Sequence, residues 1–125
     1  MDGQGARACL VVDDSRVVRK MARRMLEECG FSVSEAADGA EALAACRAAM
    51  PELVLLDWTL PVMTGIEFLR ALRAEFVPGP PVLLCTTECE MERIIEALDA
   101  GATEYVMKPF DAPILRGKLE QVGLL

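Results

Sequence analysis

Four short stretches carry the residues best suited to chemistry: Asp13-Asp14, Asp57, Thr86-Thr87 and Lys108-Pro109, each directly after an apolar run. Brought together, they would form a cluster of carboxylates with a hydroxyl and an ammonium beside it. Carboxylates crowded into one place cannot all ionise without a cation between them, and hard oxygen donors around an octahedral, partly hydrated ion suit Mg2+. A phosphoryl group at such a site needs charge neutralisation, here from Lys108, and a hydrogen bond, here from Thr86. The nucleophile is then an aspartate. Singly, each piece is ordinary: an Asp-Asp pair usually lies in a loop or caps a helix, and a Lys-Pro is usually a surface turn. Their weight comes from where the chain places them.

Five apolar runs read as strands: Ala8 to Val12, Phe31 to Val33, Leu53 to Leu56, Val82 to Cys85 and Tyr105 to Met107. The first, third and fourth are apolar without alternation, as strands of a parallel sheet covered on both faces require. Helical spacing fills the gaps. Ser15 caps a first helix carrying Val18, Met21, Ala22, Met25 and Cys29, with Gly30 placed just past its end. Asp38 caps a second, whose Ala42, Leu43 and Cys46 face inward and which ends before Pro51. Thr64 caps a third with Ile66, Leu69, Ala71 and Leu72, closed by Pro78-Gly79-Pro80-Pro81. Met91, Ile94, Ile95 and Leu98 support a fourth, stopped near Gly101, and Ile114, Leu115, Leu119 and Val122 a fifth. Strict alternation predicts an α/β sandwich with a parallel sheet and right-handed crossovers. Such sheets hold ligands beyond the carboxyl ends of their strands, where the four stretches fall.

The 125 residues suit one domain, 1-125, with one core, and the balance of 53% hydrophobic to 26% charged residues is that of a globular chain. A net charge of −7 argues against nucleic acid and against anionic membranes as partners, since both select cationic patches. Met1 to Gly5 show no secretory pattern, and no apolar stretch nears membrane-spanning length, so a cytoplasmic protein without membrane insertion is expected. Cys9, Cys29, Cys46, Cys85 and Cys89 are odd in number and form no C-x-x-C pair, so they read as reduced; Cys9, Cys46 and Cys85 read as small core hydrophobes. Histidine is absent. Ser-His-Asp and Cys-His catalysis go with it, and any phosphohistidine must come from another protein.

In these segments the chain resembles the receiver domains of two-component response regulators, in particular the CheY-like family. The likeness runs through Val11-Val12-Asp13-Asp14-Ser15, Ala37-Asp38-Gly39 with Glu41-Ala42-Leu43, Leu56-Asp57-Trp58 with Leu60-Pro61-Val62-Met63-Thr64-Gly65, Pro81 to Thr86, Ala100-Gly101-Ala102 and Tyr105 to Phe110, which is nearly the whole chain. It implies a flavodoxin-like (βα)5 doubly wound sandwich with strand order 2-1-3-4-5. It implies that Asp57 attacks the phosphorus of a phosphohistidine on a histidine kinase or histidine phosphotransfer protein and becomes an acyl phosphate. Asp14 and Asp57 would bind Mg2+ directly, Asp13 through water, and the backbone carbonyl of Thr59 would complete the protein ligands. Mg2+ and Lys108 would neutralise the oxygens of the transferring group. Thr86 would be the switch hydroxyl and Tyr105 the aromatic coupled to it, although Tyr105 also reads as an ordinary strand aromatic. The signal would leave through the fourth helix, fifth strand and fifth helix. The family's Lys108-Pro109 bond is cis, and cis is expected here.

Arg16, Arg19, Lys20, Arg23 and Arg24 make a basic stripe on the first helix, either a solvated face or a docking surface for an acidic kinase or phosphotransfer partner. Thr59 stands where the chemotaxis proteins of the family carry asparagine, Thr87 follows the switch threonine where a small residue is common, and Thr64 replaces a frequent aspartate before Gly65. The first two bear on the lifetime of the phosphoryl group. Two other classes compete. Asp57-Trp58-Thr59 matches the Asp-x-Thr of haloacid-dehalogenase-type phosphatases, but their nucleophile follows the first strand of a longer chain. An interaction module independent of phosphorylation would not need every acceptor residue intact. The chain is therefore expected to catalyse only its own phosphorylation and dephosphorylation. With the sequence closing at Gly123-Leu124-Leu125, no output domain is expected, so a motor switch or a phosphotransfer relay is the destination.

Overall fold

The computed structural model describes residues 7–87 and 91–125, so Cys89 and the Met1 to Gly5 segment lie outside the described residues. Five strands alternate with five helices: β1 (Arg7–Val12), α1 (Arg16–Glu28), β2 (Phe31–Ala36), α2 (Gly39–Ala48), β3 (Leu53–Asp57), α3 (Gly65–Glu75), β4 (Val82–Thr86), α4 (Met91–Ala100), β5 (Glu104–Met107) and α5 (Ala112–Gln121). The strands form one parallel sheet in the order β2-β1-β3-β4-β5, the expected doubly wound order. The unbroken apolar runs take the middle: β3 and β4 are buried at every residue. Edge strand β2 alternates instead, with Phe31 and Val33 inward and Ser32 and Ser34 outward, and it runs three residues beyond the apolar run that announced it.

Two cores flank the sheet. On one face Leu10, Val54, Leu56, Val82 and Leu84 meet α2, α3 and α4 through Leu43, Phe68, Leu72 and Ala97. On the other Cys9, Val11, Leu53, Leu55, Leu83 and Val106 meet α1 and α5 through Ala22, Leu26, Leu115 and Leu119. Cys9, Cys46 and Cys85 are buried and unpaired. Burial pushes the Cys9 thiol up to about 12 and that of Cys46 to about 11, which suits packing rather than nucleophilic chemistry.

The helix starts follow the caps. Ser15, Asp38 and Thr64 each accept the backbone N–H three residues on, and at Thr64 the carboxylate of Glu67 returns a bond to the cap N–H, closing a capping box. Gly30 turns the chain out of α1 at φ +95°, where a side chain would be strained. The apolar series on the outer helices is only partly buried. On α4, Ile94 and Ala97 carry the packing while Met91, Ile95 and Leu98 are exposed; on α1, Met21 is exposed and Leu26 takes the inward position; on α5, Ile114 is exposed. A helix laid on a sheet buries one stripe, and a broader apolar face leaves residues in water.

The loop after β3 turns through Val62 at φ +66°, with the Met63 N–H donating to the Pro61 carbonyl at 2.7 Å. A β-branched residue is strained there, and Val62 is 83% exposed, so no packing offsets the cost. Val62→Asn is expected to raise stability by about 1 kcal/mol, because asparagine tolerates this conformation. Chemical denaturation giving an unchanged or lower midpoint would show that the loop is not strained at this residue.

Candidate functional site

The register of the sheet aligns the strand ends. Val12 pairs with Leu56, so Asp13 and Asp57 follow side by side; Asp57 pairs with Cys85, putting Thr86 one step beyond; Thr86 pairs with Met107, putting Lys108 one step beyond again. Three residues of this edge that are polar or charged, Asp13, Asp57 and Thr86, are buried, whereas Asp14 is exposed. The carboxylates of Asp13, Asp14 and Asp57 can bring one oxygen each within 4.8 Å of one another. That is a set of hard donors able to hold a divalent cation.

Lys108 sits between two of them. Its Nζ donates to Asp13 Oδ2 at 2.7 Å and to Asp57 Oδ1 at 3.0 Å. Burial works against the ammonium, but the bonds and charges of Asp13 and Asp57 outweigh it and hold Lys108 above the usual lysine range. Burial also pushes the Asp57 carboxyl above the ordinary carboxylate range; Lys108 pulls it back, and the charges of Asp13 and Asp14 add to the rise. Asp13 is further fixed by the Ser15 N–H, which donates to Oδ1 at 2.9 Å. The main chain locks the surrounding loops: the Trp58 N–H donates to the Cys85 carbonyl at 3.0 Å, and the Lys108 N–H to the Thr86 carbonyl at 2.8 Å. Gly65 lets α3 start against the end of β3, since a Cβ there would lie 2.6 Å from the Asp57 carbonyl oxygen. Thr59 is exposed in the loop behind Asp57, and the Lys108-Pro109 bond is cis.

A sequence model of the response regulator receiver domain matches residues 9–120. The chain belongs to that family. It is therefore a phosphoacceptor switch of the two-component kind. It is 41% identical over 115 residues to the chemotaxis protein CheY of Pseudomonas aeruginosa, covering 90% of this chain and 93% of that protein. CheY-3 of Vibrio cholerae is 39% identical over 115 residues, covering 90% and 88%. A solved structure of the Vibrio cholerae chemotaxis protein CheY4 superposes with a TM-score of 0.88 at 38% identity, over 94% of this chain and 98% of that one. The Francisella response regulator 1452 receiver domain gives 0.85 at 28% identity, over 93% and 95%.

Not every residue singled out in the sequence lies in this receiver's acidic cluster. Tyr105 is half-buried on β5, with Lys118 Nζ 4.7 Å from its ring centroid. It pairs with Leu84, two residues before Thr86, so Tyr105 and Thr86 belong to the same face of adjacent strands. The basic stripe of α1 divides. Arg19, Lys20 and Arg23 all pair with Glu35 of β2, at 3.0, 2.9 and 2.6 Å, while Arg16 and Arg24 are exposed. Burial alone would raise the Glu35 carboxyl, but bonds from Lys20 and Arg19 and the charges of Lys20 and Arg23 hold it below the usual range. Sequence reading missed Glu35, whose signal was a lone carboxylate on an edge strand facing a run of cations. It also missed Arg93 of α4, whose guanidinium lies 5.8 Å from the Trp58 ring centroid, beside Asp57.

The raised Asp57 carboxyl has a stability consequence. A carboxyl whose folded value lies above its unfolded one favours folding below the unfolded value, and that contribution is lost as pH rises through the folded value. Ionised Asp57 therefore opposes folding of the metal-free protein at neutral pH. Asp57→Asn is expected to melt a few degrees higher than wild type in chelator, with the gap closing as pH falls through the carboxylate range. A lower melting point at neutral pH would mean that the attraction to Lys108 outweighs burial and repulsion.

Proposed function

We propose that Asp57 is the phosphoacceptor, taking a phosphoryl group from a phosphohistidine on a histidine kinase or histidine phosphotransfer protein in the cytoplasm. The observation that carries this is the Lys108 ammonium held between the buried carboxylates of Asp13 and Asp57. A carboxylate oxygen of Asp57 attacks phosphorus, the P–N bond to the donor histidine breaks, and a P–O bond forms. Lys108, already within bonding distance of Asp57, neutralises phosphoryl oxygens as they arrive, which is electrostatic stabilisation by a preorganised charge. The acidic set fits Mg2+: Asp14 and Asp57 would bind it directly, Asp13 through water, and the Thr59 carbonyl would complete the protein ligands. Bound there, Mg2+ would supply a second positive charge against the phosphoryl oxygens. Catalysis is confined to the domain's own phosphorylation and dephosphorylation.

Thr86 is the switch hydroxyl in this reading and Tyr105 its coupled aromatic, supported by their shared face on β4 and β5. Lys118 over the ring then helps hold the resting position. Output runs through α4, β5 and α5 to a protein partner, with no nucleic acid contacted by an acidic chain. The exposed Met91, Ile95 and Leu98 give α4 apolar area to offer. The chemotaxis names of the relatives favour a motor-switch-like target over a relay protein. On the input side, the exposed Arg16, Lys20 and Arg24 and the apolar groove of Met21, Met25 and Phe110 form the docking face for the phosphodonor.

With Mg2+ and acetyl phosphate, one phosphoryl group per chain should be incorporated and the fluorescence of Trp58 should change, while chelator or Asp57→Asn abolishes both. Labelling of Asp57→Asn at the wild-type rate would show that the acceptor lies elsewhere; sustained turnover of a small phosphate ester would point to a phosphatase. Pull-downs with the beryllofluoride-activated form are expected to enrich motor-switch protein over phosphotransfer protein. The reverse preference would assign the chain to a relay.

A further inference from the structure

Glu35 gathers three cations on a carboxylate whose side chain is 13% exposed, more positive charge than one anion needs. One of the three does something else. Arg19, whose side chain is 17% exposed, donates through Nε to Glu35 and through Nη1 to the backbone carbonyl of Asp13 at 2.8 Å. Every polar atom of Asp13 is thereby held. Its N–H donates to the Ala36 carbonyl at 3.1 Å, its carbonyl accepts from Arg19, Oδ1 accepts from the Ser15 N–H, and Oδ2 accepts from Lys108.

We propose that Arg19 is a positioning residue for the cation site: oriented by Glu35, its guanidinium clamps the Asp13 carbonyl and so fixes the aim of the Asp13-Asp14 carboxylates. The proposal rests on reading that cluster as a Mg2+ site. The planar guanidinium presents Nε and Nη1 as separate donors at a fixed spacing, so it meets the carboxylate and the carbonyl each where it stands, whereas a lysine would have to reach both from a single nitrogen. Supporting partners of this kind set the orientation of metal ligands and so the affinity.

Charge and positioning make opposite predictions. A guanidinium near the cluster repels a divalent cation, so by charge alone its removal tightens Mg2+ binding. Positioning requires that removal weaken it. Titrating the metal-free protein with Mg2+ by calorimetry, with Trp58 fluorescence as a second signal, separates the two. Arg19→Lys keeps the charge and its pairing with Glu35, and is expected to raise the dissociation constant for Mg2+ about ten-fold, the scale on which lost outer partners weaken metal sites. Arg19→Ala is expected to do at least as much. Arg23→Ala is the control, since Arg23 pairs with Glu35 and bonds the Val33 carbonyl but makes no bond to Asp13; it should stay near wild type. Unchanged or tighter binding by Arg19→Lys overturns the proposal, as does equal weakening by Arg23→Ala, which would mean general stapling of α1 to β2. If wild type itself takes up no Mg2+, the reading of the site as a cation site fails and the proposal with it. Binding by wild type alongside an unaffected Arg19→Lys overturns the proposal alone.

Discussion

The structure depends on one electrostatic constraint: a single ammonium, that of Lys108, is shared between two buried carboxylates, with a third carboxylate within reach. The balance is negative, and burial makes the imbalance expensive because a low-dielectric surround screens poorly. A site built only for stability would carry one carboxylate or a second cation. This one keeps surplus negative charge at the mouth of the sheet. A divalent cation held there would relieve the surplus, and under the proposed function the ammonium would meet an incoming phosphoryl group. Under the proposed function its ligands would complete this arrangement, the relation in which preorganisation raises reactivity at the expense of stability.

Everything behind the site serves that arrangement. The dry middle of the sheet, with β3 and β4 buried throughout, sets the register that puts Asp13, Asp57, Thr86 and Lys108 at successive strand ends. A slip of one residue in any pairing would turn a strand's inward residues outward, so the two cores hold the register against slippage. The helix starts matter for the same reason. Ser15 caps α1 through its side chain while its N–H fixes Asp13, so one residue ends the Asp13-Asp14 loop and begins the helix. Gly65 does the equivalent for α3, whose first turn packs against the Asp57 carbonyl too closely for a side chain.

Much of this was legible in the sequence because it depends on local rules. Apolar runs without alternation marked the central strands, Ser15, Asp38 and Thr64 marked the helix starts, and the polar residues at four strand ends marked the site. The strand order came from family likeness, because periodicity does not say which strands are neighbours. What stayed hidden depends on pairings distant in sequence or on side-chain reach. The stripe on α1 looked uniform, yet three of its cations turn to Glu35 across the α1–β2 packing and two do not. Met91, Ile95 and Leu98 fitted a buried helix face, but how many apolar residues a helix buries depends on its tilt against the sheet, which spacing does not encode.

The pairing with Glu35 also changes what the charge of the protein means. A net −7 chain with a basic helix looks divided into an acidic body and a cationic handle. Neutralising part of that stripe within the fold leaves Arg16 and Arg24 facing solvent, with Lys20 exposed but paired to Glu35, beside Met21 and Phe110 and close to the Lys108-Pro109 turn. The exposed cations then lie on the side of the molecule from which a phosphorylated partner would reach Asp57. Long-range attraction from so few charges is modest and screened by salt beyond about 10 Å. For such a partner the apolar groove would therefore supply much of the affinity, while the cations would orient the approach. Such a division suits a transient donor complex, because a surface that bound its donor by charge and area together would release it too slowly to pass the signal on.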